Sequence, residues 1–227
     1  PGSPPANPRE GESVPELVSQ RYPELMSRDR GALDELLASS VLAHVGLLSE
    51  GRPVVFPTGF AVVEDALVIH GSTGSRWMRA LADQEVSVTV TKLDGLLVSR
   101  STYDSAMLYR SAMLFGRFRP VSPERREAVL NALADRFIPG RSGELRPSTR
   151  KELAATMALE LPIDRWSLRV LDGWPEDQAD DIAGTAWAGL VRFGAPSARI
   201  EPAPDLRPGI PVPPSVREAA AHPERLV

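Results

Sequence analysis

The chain has no cysteine, which removes disulfides, thiolate metal sites and cysteine nucleophiles from consideration. Its three histidines, His44, His70 and His222, are too few and too scattered for a multi-histidine metal centre. No apolar run approaches the roughly 18 residues that span a bilayer, and no secretory signal is expected at the start. A cytoplasmic protein with no membrane partner is the expectation. There is no G-x-G-x-x-G, so a Rossmann cofactor site is not expected, and no Walker lysine in the required spacing. The formal charge is −4, so no basic face dominates and nucleic acid is not expected as a partner. Lysine is nearly absent too: of 26 basic residues only Lys92 and Lys151 are lysine, a bias of genome composition more than of function.

What remains is an ordinary globular composition, with 227 residues, 42% of them hydrophobic and 25% charged. That length suits one domain with an appendage. Proline divides it: residues 1–15 hold five and residues 196–227 hold eight. Pro1-Gly2-Ser3 reads as a scar of tag cleavage. Residues 1–27 are therefore expected to be mostly extended, 28–195 to form the folded domain, and 196–227 to form a Pro-rich tail. Ile200, Leu206, Ile210 and Val212 would let that tail wrap across a surface.

Between the tails, Asp29 can cap a helix over about 31–39, with Leu33, Leu36 and Leu37 on one face. Hairpins are expected around Glu50-Gly51, around Glu64-Asp65, and around Asp94-Gly95, whose Asp-Gly pair is the strongest turn signal present. RWMRALAD reads as a short helix and YRSAMLFGRFRPV as a long strand. Pro123 opens another helix, Ser148 or Thr149 a further one, and MALELPIDRWSLRVL returns to strand. Short strands joined by tight turns, with helices inserted late, predict a mainly β antiparallel barrel with peripheral helices.

One stretch points to chemistry. Gly71-Ser72-Thr73-Gly74-Ser75-Arg76 follows a strand and opens a helix. Its hydroxyls, the helix N–H groups and a guanidinium suit a phosphate. Gly and Ser also turn and cap without any ligand, so a plain helix-starting turn stays open. His70 adjoins this loop. In the strand from Ser105, period two puts Arg110, Ala112, Leu114 and Gly116 on one side and Ser111, Met113 and Phe115 on the other. Trp166, Trp174 and Trp187 read first as packing residues.

The order PVVFPTGFAVVEDALVIHGSTGSRWMRAL, then VSVTVT, then YRSAMLFGRFRPVSPERREAVLNAL, resembles the pyridoxamine 5′-phosphate oxidase-like FMN-binding split-barrel family. Within it, the chain is most similar to the nitroimidazole-resistance-type, flavin-nucleotide-binding branch. The resemblance implies an antiparallel split β-barrel and a homodimer with FMN at its interface. It implies that main-chain groups of Val55, Phe56, Pro57 and Thr58 face the isoalloxazine edge. His70 and Gly71 would line the cofactor, Ser75 and Arg76 would hold its phosphate, and Arg110 and Ser111 would reach it from the long strand. Trp166 falls near an aromatic position beside the flavin. The oxidase's C-terminal substrate signature is missing, since Ser167-Leu168-Arg169-Val170 stands after Trp166. Vitamin B6 oxidation is therefore not expected. The reading implied is an FMN-dependent oxidoreductase acting on a small organic molecule, with the flavin doing the chemistry. The deazaflavin F420 in the same seat, a non-catalytic flavin or haem binder using His44 or His70 as axial ligand, and a purely structural dimerisation module are the alternatives.

Overall fold

The structure, a computed structural model, describes residues 22–193, 200 and 211–222. It opens with a 3-10 turn at Pro23–Leu25 and the two-residue strand β1 (Met26–Ser27). Asp29 accepts the N–H of Gly31 at 2.8 Å and starts α1 (Arg30–Ala38), which buries Leu33, Leu36 and Leu37 as the 3.6 period requires. Next come β2 (Leu42–Ser49), β3 (Arg52–Gly59), β4 (Ala61–Val63) and β5 (Ala66–Ser72). Both turns expected between these strands form. Glu50 and Gly51 take φ of 52° and 74°, and Glu64 and Asp65 take 48° and 64°, the paired positive values that suit a right-twisted hairpin. Glu64 and Asp65 carry a side chain in that costly region. Ion pairs to Arg125 and Arg30 hold them there.

After α2 (Arg76–Asp83) the chain departs from the sequence expectation. No hairpin turns at Asp94-Gly95: β6 (Val86–Val98) is one 13-residue strand, with a bulge where Leu93 and Gly95 face consecutive residues of the next strand. The bulge is held from outside the local sequence. Arg110 grips both carboxylate oxygens of Asp94, at 3.0 and 2.9 Å. Gly95 admits a neighbouring backbone so closely that an added Cβ would sit 2.3 Å from the Val191 carbonyl oxygen.

The long strand β7 (Ala106–Gly116) runs as expected, with Leu108, Ala112 and Leu114 buried on one side. It passes through β8 (Arg119–Pro120) to α3 (Pro123–Phe137) and α4 (Arg150–Ala155), whose Thr149 and Glu152 form a capping box. The expected single return to strand is split. β9 (Thr156–Pro162) and β10 (Trp166–Leu171) lie in different sheets, with Ile163–Arg165 crossing between them. After α5 (Ala179–Ile182), β11 (Gly189–Arg192) pairs with the far half of β6, and α6 (Pro214–Ala221) ends the described chain. Of the tail positions expected to wrap, Leu206 and Ile210 lie outside the described residues. The tail's Ser215 is docked, its N–H and hydroxyl bonding Glu144 at 3.1 and 2.5 Å.

Two antiparallel sheets result. One runs β1-β10-β7-β6-β2-β3 with β11 added to β6, the other β4-β5-β9-β8. Val45, Val88, Val90 and Leu114 of the first sheet meet Leu67, Ile69, Leu159 and Leu161 of the second, with α1 and α2 closing the sides. The second sheet's outer face is covered by α3 through Val129 and Leu133. The first sheet's outer face has no helix over it among the described residues, so the fold presents one open face. No described helix is long and apolar enough to cross a membrane.

Candidate functional site

The loop between β5 and α2 is shaped by hydrogen bonds within itself and to the end of α4. Thr73 donates its N–H and its hydroxyl to the Ala155 carbonyl at 3.0 and 3.2 Å, and Ser72 Oγ accepts the Gly74 N–H at 3.1 Å. Arg79 donates to the Thr73 carbonyl at 2.7 Å. Two of the three hydroxyls are thus spent on shaping the turn. Ser75 is not: its Oγ is buried without a hydrogen-bond partner, and α2 starts without a side-chain cap, leaving its first N–H groups open. A buried orphan hydroxyl costs stability unless something occupies it. Next to it Arg76 is 86% exposed and paired with Glu50 at 3.0 Å, a surface ion pair that an incoming anion can displace at little cost.

The neighbouring residues serve this loop in different ways. Gly71 lets α2 seat against β5, since a Cβ there would lie 2.9 Å from Met78 Cγ. His70 is exposed, on the side of β5 that carries Val68 toward α3. The Phe56 ring packs on Trp77, centroids 4.0 Å apart and tilted by 51°, tying β3 to the first turn of α2. Among the described residues β3 pairs only with β2, so Val55, Phe56, Pro57 and Thr58 lie on an edge strand of the first sheet.

The open face carries a second group. In register across the sheet stand Pro57, His44, Thr89, Met113 and Ser167, with His44 exposed. A parallel row holds Val55, Gly46, Ser87 and Phe115. Ser111 lies on this face and bonds Thr91 through the two hydroxyls at 2.9 Å. Of these, Ser87, Thr89 and Thr91 were not singled out from sequence, whereas Met113 and Phe115 were placed on the Ser111 side of their strand without a role. The alternation of VSVTVT was the signal, since it places every hydroxyl of that run on one side.

Two sequence candidates stand apart. Arg110 projects to the opposite side of β7 from Ser111, where it also bonds Glu35 of α1 at 3.2 Å. Its two carboxylate partners raise its pKa, the Asp94 hydrogen bonds first, against the opposing effect of burial. Trp166 packs half-buried against the main core, opposite Leu114. Within the chain, then, the structure brings Ser75, Arg76, Gly71 and Phe56 together around α2. It gathers Val55, Pro57 and Ser111 on the open face. Arg110 and Trp166 join neither group. No cluster of three metal-ligating side chains exists among the described residues.

Comparison with known proteins agrees with this architecture. The family model described as pyridoxamine 5′-phosphate oxidase matches residues 29–170. The solved structure of the FAD and heme binding protein from Mycobacterium smegmatis is 51% identical, with a TM-score of 0.83, covering 86% of this chain and 97% of that one. The flavocytochrome Anf3 from Azotobacter vinelandii is 34% identical, also with a TM-score of 0.83, covering 88% and 94%. A Bacteroides thetaiotaomicron protein named for resistance to 5-nitroimidazole antibiotics shares the fold at 19% identity and a TM-score of 0.53, covering 64% and 86%. Comparison with curated proteins gives no match. With the split sheets, the open face and the matched residues agreeing, the chain belongs to the pyridoxamine 5′-phosphate oxidase family and has its flavin-binding fold.

Proposed function

We propose that this protein is a homodimeric redox protein that holds a flavin nucleotide and a haem. The observation that carries the flavin part is the buried, unpartnered Ser75 hydroxyl at the uncapped start of α2, beside the displaceable Arg76. Hydroxyl, backbone N–H groups and guanidinium together match a phosphate. FAD is the flavin proposed, ahead of FMN or F420, because two structures similar over most of this chain are named for FAD with heme and as a flavocytochrome. When bound, the flavin supplies hydride and electron chemistry and the haem supplies one-electron chemistry. The chain's own part is to bind, orient and exclude water: Ser75 and Arg76 fix the phosphate, and the Phe56–Trp77 pair stiffens the seat.

His44 is the proposed haem ligand. It stands exposed on the open face between Pro57 and Thr89, with Leu42 two residues before it and Met113 one strand further, room for the flat face of a porphyrin, whereas His70 lies on the other sheet. The same face supports a dimer. Leu42, Leu48, Val55, Leu93, Met107 and Trp187 are each 44–67% exposed there. Taking roughly 200 Å² per large side chain, they leave on the order of 600 Å² of apolar surface in water, the upper end of the largest patch on an ordinary monomer. An oxidoreductase activity on a small organic substrate fits this assembly.

The absorption spectrum of the purified protein tests the reading. A flavin band and a Soret band are expected together. His44→Ala should remove the Soret band and keep the flavin, while Ser75→Ala with Arg76→Ala should weaken flavin binding at least tenfold. Protein that stays colourless and binds neither added flavin nor added haem refutes the proposal. Loss of the Soret band in His70→Ala, with His44→Ala unaffected, moves the haem to the second sheet.

A further inference from the structure

The two arginines in the first turns of α2 are not equivalent. Met78 and Leu81 are fully buried and fix the inner side of the helix. Arg76 and Arg79 therefore share its outer side, three residues apart, where Cβ atoms are neighbours at about 5–6 Å. Arg76 reaches away to Glu50 on the β2–β3 turn. Arg79 turns back toward the start of the helix, as helical side chains do, and its Nη1 donates to the Thr73 carbonyl at 2.7 Å. Its own N–H donates to the Ser75 carbonyl at 3.4 Å, so Ser75 and Arg79 lie one turn apart on one face.

The Arg79 guanidinium is little used where it stands. The side chain is exposed, and the Thr73 carbonyl is its one hydrogen-bond partner among the described residues. No carboxylate pairs with it there, not even Asp83 four residues on. Glu50 offsets Arg76 alone. The loop thus keeps a second, uncompensated positive charge beside the orphan Ser75 hydroxyl and the open N–H groups of α2. One phosphate is already served by Ser75, those N–H groups and Arg76. Arg79 adds a second fork a neighbouring position away, and its fixed array of donors lets it keep Thr73 while the rest of the fork meets a ligand. Two forks side by side match an anion that carries its charge on two linked phosphates.

We propose that Arg79 grips the second phosphate of FAD and so selects the dinucleotide over FMN. A diphosphate diester gives each fork one phosphate bearing one negative charge. A monoester puts about −1.5 to −2 on a single phosphate and leaves the second fork idle. The proposal rests on the flavin reading of the Ser75 seat.

Equilibrium dialysis of the full purified chain against FAD and against FMN tests it. Wild type should hold FAD more tightly than FMN. Arg79→Gln should weaken FAD about tenfold or more, the loss of a charge-assisted hydrogen bond, and FMN by less than about threefold. Arg79→Lys, which keeps the charge, should recover part of the FAD loss. Ser75→Ala with Arg76→Ala should weaken both flavins. A purely structural grip of Arg79 on the loop would lower both affinities together, so the ratio of FAD to FMN affinity decides. An Arg79→Gln ratio equal to that of wild type, with both flavins weakened in the Ser75–Arg76 variant, overturns the assignment of Arg79 and leaves the seat standing. Flavin binding unchanged in the Ser75–Arg76 variant overturns the seat, and the assignment with it.

Discussion

Replacing Arg110 by Gln separates two accounts of that residue. Family resemblance makes it a cofactor ligand, whereas its geometry makes it the clasp of the β6 bulge. Its guanidinium lies 22% exposed, with two hydrogen bonds to Asp94 and a weaker one to Glu35. A hydrogen bond to a charged group contributes about 1.5–3 kcal/mol. Partial exposure of both partners lowers the yield of this pair, so the loss should be about 2 kcal/mol in all. For a domain of this size that corresponds to a fall in Tm of about 4–8 °C. Urea denaturation of wild type, Arg110→Gln, Asp94→Asn and the double variant should give a coupling energy of about 1 kcal/mol or more, with the two single losses failing to add. Flavin affinity should be unchanged throughout. The reasoning is refuted if Arg110→Gln leaves stability within about 0.5 kcal/mol of wild type while flavin binding drops tenfold.

Gly95→Ala should cost about 1–3 kcal/mol by overpacking, because the added methyl meets the Val191 backbone rather than a yielding side chain. Hydrogen exchange should show the amides of β11 losing protection before those of β7. Thr149→Ala should cost about 1 kcal/mol by removing half of a capping box, and it should also weaken flavin binding, since α4 ends at the Ala155 carbonyl that anchors Thr73; a flavin titration decides this. The Glu144 carboxyl is held below the usual carboxylate range, chiefly by the Ser215 hydroxyl and N–H and then by Arg141. A lowered folded-state pKa stabilises above the unfolded value, about 4.3 for Glu, and is lost as pH falls through the folded value beneath it. Proteolysis within α6 should therefore accelerate only at acid pH, and Ser215→Ala should make it fast at every pH.

The elements legible in the sequence were those whose cause is local. Paired positive-φ turns at Glu50-Gly51 and Glu64-Asp65, the Asp29 cap and Pro123 at a helix start each act within four residues. Asp94-Gly95 looked equally local and misled. Its fate is decided by Arg110 sixteen residues away and by the backbone of Val191 nearly a hundred residues away. The β9–β10 break was hidden for a similar reason, since Ile163-Asp164-Arg165 carries no strong turn signal and the change of sheet becomes visible only when partners are known. β11 and α6 went unread because four strand residues and a Pro-flanked octet give little pattern against a proline-rich background.

The candidate site shows what a family likeness transfers well and what it transfers poorly. Contacts made through the main chain, such as those the resemblance implies for Val55 to Thr58 on the β3 edge, do not depend on which way a side chain points. Contacts made through side chains do, and strand alternation forbids two consecutive residues from serving one face. Ser111 and Arg110 therefore cannot both face the same cofactor from one protomer. Ser111 stands on the open sheet with Thr91, and Arg110 is turned inward to Asp94 and Glu35. The Ser75–Arg76 pair escapes this rule, because it sits where a strand has ended and a helix begins, and there the N-cap hydroxyl, the helix N–H groups and the next side chain are free to converge on one anion. That is why Ser75 and Arg76, where a phosphate is proposed to sit, stay together as one place in the fold, while the remainder of the expected site divides between two sides of a sheet.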